Sequence, residues 1–241
     1  MRVAIIDNDV AQADYLEMSL RQIGCSSHVF ESAKEALRAF QRESYELILL
    51  EWVLPDLGGD EVLAWIREHL DWQVPVIFVT QYSGSENLVR ALGRGADDFI
   101  AKSAARAELL ARIQAVLRRA SGIDPASKVL DCGHHVIDME RREITLDGQK
   151  VALTQKEFDL ASFLFRHHGR LLSRAHLMEA VWGHGDEMNT RTLDTHISRL
   201  RKKLQINADK GWRLSSVYHH GYRLEAVDTP AEAAPELAEL P

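Results

Sequence analysis

Along the first half of the chain, short apolar runs alternate with longer stretches in which apolar residues recur every three or four positions. The runs are Val3–Asp7, Ser27–Phe30, Leu47–Glu51, Val76–Thr80 and Asp98–Lys102. Between them the 3.6-residue period predicts helices near 11–23, 32–43, 59–69, 85–93 and 105–119. Ser32 and Glu35 stand at capping-box spacing where the second helix starts. Five strand-helix repeats of this length read as an α/β domain with a doubly wound, five-stranded parallel sheet. In such sheets functional groups gather beyond the carboxyl ends of the strands. Here that edge collects Asp7, Asn8, Asp9, Glu51, Thr80 and Lys102.

The pattern changes after residue 120. In residues 121–128, SGIDPASK, Ser, Gly and Pro interrupt both periods and predict a linker. Short strands follow at Val136–Asp138, Glu143–Leu146 and Gln149–Val151, with Asp147-Gly148 as a hairpin signal between the last two. One helix starts at Thr154, where Glu157 completes a second capping box, and another near Ser173. In the stretch NTRTLDTHISRLRKKL, residues 189–204, Leu193, Ile197, Leu200 and Leu204 fall on one helical stripe. A closing hairpin holds Trp212–Val217 and Tyr222–Leu224. Three helices bracketed by sheet describe an α+β winged helix-turn-helix over residues 129–227. The remainder, 228–241, is acidic and rich in Pro and Ala, and is expected to be disordered.

Charge sharpens this division. The net charge of −7 argues against a nucleic-acid partner, but it is unevenly spread. Residues 1–120 carry −5, residues 121–227 carry +2 and the tail carries −4. Much of the positive charge sits on the helix with the Leu/Ile stripe, where Arg191, Arg199, Arg201, Lys202 and Lys203 face a single acid, Asp194. Charge runs are usually solvated faces, yet such faces mix both signs and this one hardly does. A helix that buries one side and bares cations on the other suits a phosphate backbone, so double-stranded DNA is the expected partner. No apolar run approaches the ~20 residues of a membrane span. The N-terminus lacks a signal peptide's apolar core, so a cytoplasmic location is expected. Cys25 and Cys132 form no CxxC pair.

Taken together, IIDND, LLEWVLPDLGGDEV, FVT, GADDFIAK and ELLARIQAVLRR in the first half, with LTQKEFDLASFL, GRLLSRAHLMEAVWG, RTLDTHISRLRKKL and GYRL in the second, resemble a response regulator of the OmpR/PhoB family. The resemblance spans residues 2–225. It implies a receiver domain, 1–120, in which an acid pair, an acceptor Asp, a Thr and a Lys carry phosphoryl transfer around Mg²⁺. This chain keeps Asp7, Thr80 and Lys102, but has Asn8 for the second acid and Glu51 at the acceptor position. Asn8 removes a negative charge. Glu51 carries its carboxylate one carbon further, roughly 1.5 Å, and misplacement by ~1 Å can cost on the order of 100-fold in rate. Neither metal nor cofactor is therefore expected, and the receiver reads as one that works largely without aspartyl phosphorylation. The alternatives are a conventional phosphorylation-switched regulator with a sensor kinase, or a pure protein-interaction module. Phe99 is the switch aromatic and can only pack, and Ser103 stands where the family has Pro after the Lys.

The resemblance further implies a homodimer through the face of the fourth helix, fifth strand and fifth helix. Asp97, Asp98, Glu108, Arg112 and Arg119 fit its ion pairs, and Leu88 replaces a base. On the DNA side it points to Thr192, Thr195, His196, Arg199 and Lys203, with Arg199 on guanine and Thr195 on a thymine methyl. Arg201 and Lys202 are expected on phosphates, as is the helix start at Thr154. Ser198 stands where relatives often carry Arg, and Tyr218 where the wing usually carries one. The adjacent pairs His134-His135, His167-His168 and His219-His220 do not converge on a metal. No Gly-rich phosphate loop or Ser/His/Asp arrangement supports an enzyme.

Overall fold

β1 (Arg2–Ile6), β3 (Leu47–Leu50) and β4 (Val76–Thr80) are apolar almost without interruption after Arg2, because helices cover both faces of the sheet they form. The computed structural model describes residues 1–70, 74–81, 85–121, 128–183, 191–218 and 220–227, and of 85–88 and 121 the backbone alone. With β2 (Ser26–Phe30) and β5 (Asp98–Ala101) the sheet is parallel in the order β2-β1-β3-β4-β5. Successive residues point to opposite faces. Val3, Ile5, Leu49 and Ile77 pack under α1 (Val10–Arg21) and α5 (Arg106–Ser121). Ala4, Ile6, Leu50 and Phe78 pack under α2 (Ala33–Phe40) and α3 (Gly59–His69), with α4 (Ser85–Gly93) contributing Ala91.

This is the doubly wound sheet expected, with element ends shifted by a few residues. α5 runs to Ser121, into the stretch read as linker, and residues 122–127 of that stretch lie outside the described residues. The capping box expected at Ser32 is half formed: the Ser32 hydroxyl accepts the Glu35 amide at 3.3 Å. Among the described residues every peptide bond is trans, that after Lys102 included.

The second domain opens with a four-stranded antiparallel sheet, β6 (Val129–Cys132), β7 (His135–Asp138), β8 (Glu143–Leu146) and β9 (Gln149–Lys150), paired in chain order. The turn at Asp147-Gly148 has φ of 50° and 76°, the doubly left-handed geometry that such a two-residue turn requires. α6 (Gln155–Arg166), α7 (Arg174–Trp182) and α8 (Arg191–Lys203) follow, and β11 (Trp212–Val217) and β12 (Gly221–Ala226) close the domain. Leu193, Ile197, Leu200 and Leu204 are at most 1% exposed, as the stripe requires. The Thr154/Glu157 capping box is complete.

Two strands have no counterpart in the sequence pattern. β6 is short and half exposed. β10 (Leu171–Ser173) has three residues and joins the wing hairpin by pairing with β12. That pairing explains Gly221: a Cβ there would sit 1.9 Å from the Leu172 carbonyl oxygen. The acidic tail from 228 onward lies outside the described residues, as do 184–190, which include the start of the basic stretch.

Gly221→Ala must push β10 away from the wing. The expected loss is ~1–3 kcal/mol of unfolding free energy, read by urea denaturation. An unchanged midpoint would show that β10 does not constrain the hairpin.

Candidate functional site

Asp7, Glu51 and Lys102 each follow the last residue of a strand, β1, β3 and β5, and Thr80 closes β4. The ladder carries over into them: the Asp7 amide donates to the Phe30 carbonyl at 3.1 Å, Glu51 to Ile6 at 2.9 Å and Lys102 to Thr80 at 2.9 Å. Their side chains therefore converge at the carboxyl edge. The Lys102 ammonium lies 2.7 Å from Asp7 Oδ2 and 2.7 Å from Glu51 Oε2. The other oxygen of each acid is also engaged. Asp7 Oδ1 accepts the Asp9 amide at 2.9 Å, and Glu51 Oε1 accepts the Trp52 and Val53 amides at 2.6 and 3.2 Å.

The three groups are buried, and the electrostatics follow from that. Burial pushes the Asp7 carboxyl above its ordinary value, although Lys102 and the Asp9 amide oppose the shift. Burial works to lower the Lys102 ammonium, but its contacts with Asp7 and Glu51 outweigh it and hold it above the usual lysine value. Thr80 is fully buried beside them. Asn8 is exposed. Asp9 points elsewhere, capping α1 with its carboxylate on the Gln12 amide at 3.2 Å. Phe99 packs inward, its ring 6.4 Å from Phe78. Gly59 backs the site so closely that a Cβ would lie 2.5 Å from the Glu51 carbonyl oxygen.

Sequence reasoning missed the clamp next to this edge. Asp60 at the start of α3 holds Arg90 of α4 and Arg94 just beyond its end at 2.6 and 2.7 Å. The signal was present, since residues four apart share a helix face.

Of the residues expected on the pairing face, most are occupied within the chain. Asp97 accepts the Val76 amide at 2.8 Å and Arg67 at 3.0 Å. Arg112 bonds Glu108 at 3.0 Å and lies 3.4 Å from Asp98. Arg119 is exposed. The Leu88 side chain lies outside the description, while Val89 and Leu92 on the same helix are 70% and 45% exposed.

On α8, Thr195, Arg199 and Lys202 form an exposed stripe opposite the buried one, and Ser198 lies beside it. Thr192 and His196 are half-buried, with the His196 ring 5.3 Å from Trp182. Two cations also make bonds within the domain. Arg201 donates through Nε and Nη2 to the Leu214 carbonyl at 3.1 and 2.6 Å, so its guanidinium ties α8 to the wing. Lys203 bonds Glu157 at 2.7 Å and the Ala152 carbonyl at 3.1 Å, tying α8 to the start of α6. Asp194, the helix's one acid, receives Arg174 and the Tyr222 hydroxyl. Thr154 uses its side-chain oxygen to accept the Glu157 amide at 3.3 Å. Tyr218 stands at the wing tip, 83% exposed, next to His219, which lies outside the described residues.

A parallel α/β domain with this edge, joined to a winged helix-turn-helix, is the architecture of a DNA-binding response regulator. Residues 3–114 match the family described as response regulator receiver domain, and residues 148–224 that described as transcriptional regulatory protein, C terminal. The sensory transduction protein RegX3 of Mycolicibacterium smegmatis is 37% identical over 226 residues, covering 92% of this chain and 98% of RegX3. The cell cycle response regulator CtrA of Brucella anthropi is 32% identical over 228 residues, covering 95% and 97%. The crystal structure of DrrB, a Thermotoga maritima OmpR/PhoB homolog, is 27% identical with a TM-score of 0.45, covering 93% and 99%. The chain belongs to the OmpR/PhoB family of response regulators, DNA-binding transcription factors that are not enzymes. Among the described residues no helix is long and apolar enough to cross a membrane.

Arg201→Ala leaves the Leu214 carbonyl without its donors. Thermal or urea unfolding is expected to show a loss of ~1–3 kcal/mol, while Lys202→Ala changes stability little. Equal effects of the two would mean Arg201 does not hold the wing.

Proposed function

We propose that this chain is a sequence-specific transcriptional regulator whose receiver pairs with a second copy without aspartyl phosphorylation. The observation that carries the reading is Lys102, with its ammonium 2.7 Å from both Asp7 and Glu51. An acceptor carboxylate must offer a free oxygen to phosphorus, and Mg²⁺ needs several oxygens in near-octahedral order. Here each oxygen of Asp7 and Glu51 already has an amide or ammonium beside it, and Asn8 offers an amide where a carboxylate would bind more strongly. The residues do not fit the metal. The Glu51–Lys102 pair instead supplies permanently the contact that a phosphoryl oxygen would make with the lysine.

The pairing surface we assign is that of α4, β5 and α5. Val89 and Leu92 present apolar area on α4, with Leu88 adjacent by spacing. Burying it favours association by about 25 cal/mol per Å². The ion pairs around Arg112 are satisfied within one copy and add little, since exposed pairs contribute ~0–1 kcal/mol. On DNA, α8 enters the major groove with Thr195 and Arg199 toward the bases and Lys202 toward a phosphate. Tyr218 stands at the minor groove in place of a cation.

Incubation with Mg²⁺ and acetyl phosphate followed by intact mass measurement should add no phosphoryl group, and the untreated protein should sediment as a dimer. A stoichiometric gain of one phosphoryl group, absent in Glu51→Ala, would overturn the reading. For the DNA face, Arg199→Ala should weaken specific sites by ~1–3 kcal/mol and relax sequence preference. An equal loss on random DNA would assign Arg199 to phosphate alone.

A further inference from the structure

The opposite edge of the receiver sheet is buried against the DNA-binding domain, and that seam is built from charged groups. Glu46, just before β3, is 4% exposed. Its Oε2 accepts the Arg2 amide at 2.7 Å, and its Oε1 lies 2.6 Å from His167 Nε2 at the end of α6. His176 of α7, 2% exposed, approaches Oε2 to 3.6 Å and bonds the Ser44 hydroxyl at 2.9 Å through Nδ1. Ser44 in turn accepts the Ser173 amide at 2.8 Å. Arg2 places Nε 3.1 Å from Glu179 of α7, and Glu179 also accepts the Ser26 hydroxyl. A cavity of about 210 Å³ lies in the seam between Arg2, Glu46, Phe163, His176 and Glu179.

The charged groups of the seam around His176 and Glu46 come from both domains. Met1 ammonium, Arg2 and Arg170 are cationic, while Glu43, Glu46 and Glu179 are anionic. His28 and His167 are the other imidazoles, and burial pushes the Cys25 thiol up so that it stays neutral. Three cations thus meet three carboxylates. A proton on His176 would add a fourth positive charge in a buried position, and both Glu46 oxygens already have partners. His176 Nε2 has no hydrogen-bond partner. A released domain would let water take that charge.

We propose that this seam is a proton-operated latch: the receiver stays docked on α6 and α7 while His176 is neutral, and protonation of His176 in mild acid releases the DNA-binding domain. The latch rests on the domain contact and is independent of how Glu51 is read. Burial lowers the His176 pKa, and Glu46 only partly opposes this. The docked form therefore binds fewer protons than the released one, whose imidazole titrates near ~6.5. Docking is at full strength above that value and weakens as pH falls below it. Burial would raise the Glu46 carboxyl, but the contacts with His167 and His176 outweigh it and hold it well below its ordinary value. Glu46 stays ionised through this window and adds a further loss only in stronger acid.

The test is small-angle scattering of the full chain from pH 8 to pH 5, with circular dichroism at each point to separate release from unfolding. The radius of gyration is expected to hold constant above neutrality and to rise, with secondary structure intact, as pH falls below the ordinary imidazole value of ~6.5. His176→Gln should remain compact through the acid range, and Glu46→Gln should be extended already at neutral pH. A wild-type radius that stays flat to pH 5, a His176→Gln protein that opens where the wild type does, or a compact Glu46→Gln protein at neutral pH would each overturn the latch.

Discussion

Lys102 carries one positive charge into a buried site that holds two carboxylates, and the carboxyl edge of the receiver is arranged around that imbalance. Taking three charges out of water is costly unless each is matched and hydrogen-bonded. The site meets the requirement with main-chain amides: Asp9 on Asp7, and Trp52 with Val53 on Glu51. The longer Glu51 side chain folds back onto the amides that follow β3 and still reaches the lysine. Gly59 leaves room for the β3 exit to lie against the start of α3, and Asp60 then fixes α4 through Arg90 and Arg94. One ammonium thereby organises a line of contacts from the middle of the sheet to the helix that carries Val89 and Leu92.

The second domain uses its cations with similar economy. Of the bases on α8, Arg201 and Lys203 hold the fold, through the Leu214 carbonyl and Glu157. Glu157 is buried, and the Lys203 ammonium with the Thr154 amide keeps its carboxyl below the usual range against the opposing effect of burial. The Asp194 carboxylate is occupied from inside by Arg174 and Tyr222, so it does not repel a duplex as a free acid would. Thr195, Arg199 and Lys202 form the exposed stripe that lies opposite the buried one.

Much of this was legible in the sequence, and for definable reasons. Strands buried on both faces are continuous apolar runs, and Asp147-Gly148 marks its hairpin because few other pairs accept two left-handed residues. Asp7, Glu51, Thr80 and Lys102 could be grouped because a parallel sheet sends all its strand ends to one edge. β10 escaped notice because three residues carry no period. The bond from Arg201 to the Leu214 carbonyl was not legible because a basic residue on a polar helix face looks the same whether it meets solvent or a carbonyl oxygen. The seam between the domains was invisible for another reason: Glu46 and His167 are 121 residues apart, and nothing in either local pattern marks the other. The adjacent His167-His168 pair drew notice only as a candidate metal site, not as a partner for a distant carboxylate.

The clasp of Arg201 on the Leu214 carbonyl has a geometric consequence. It joins the helix that carries Thr195 and Arg199 to the hairpin whose tip is Tyr218, and the Tyr222 hydroxyl on Asp194 makes a second joint between the same two parts. With two joints, helix and hairpin cannot swivel independently. If the proposed DNA face is right, they act as the fixed jaws of a caliper, and a duplex whose groove spacing differs from the gap between them would have to bend or widen to be held.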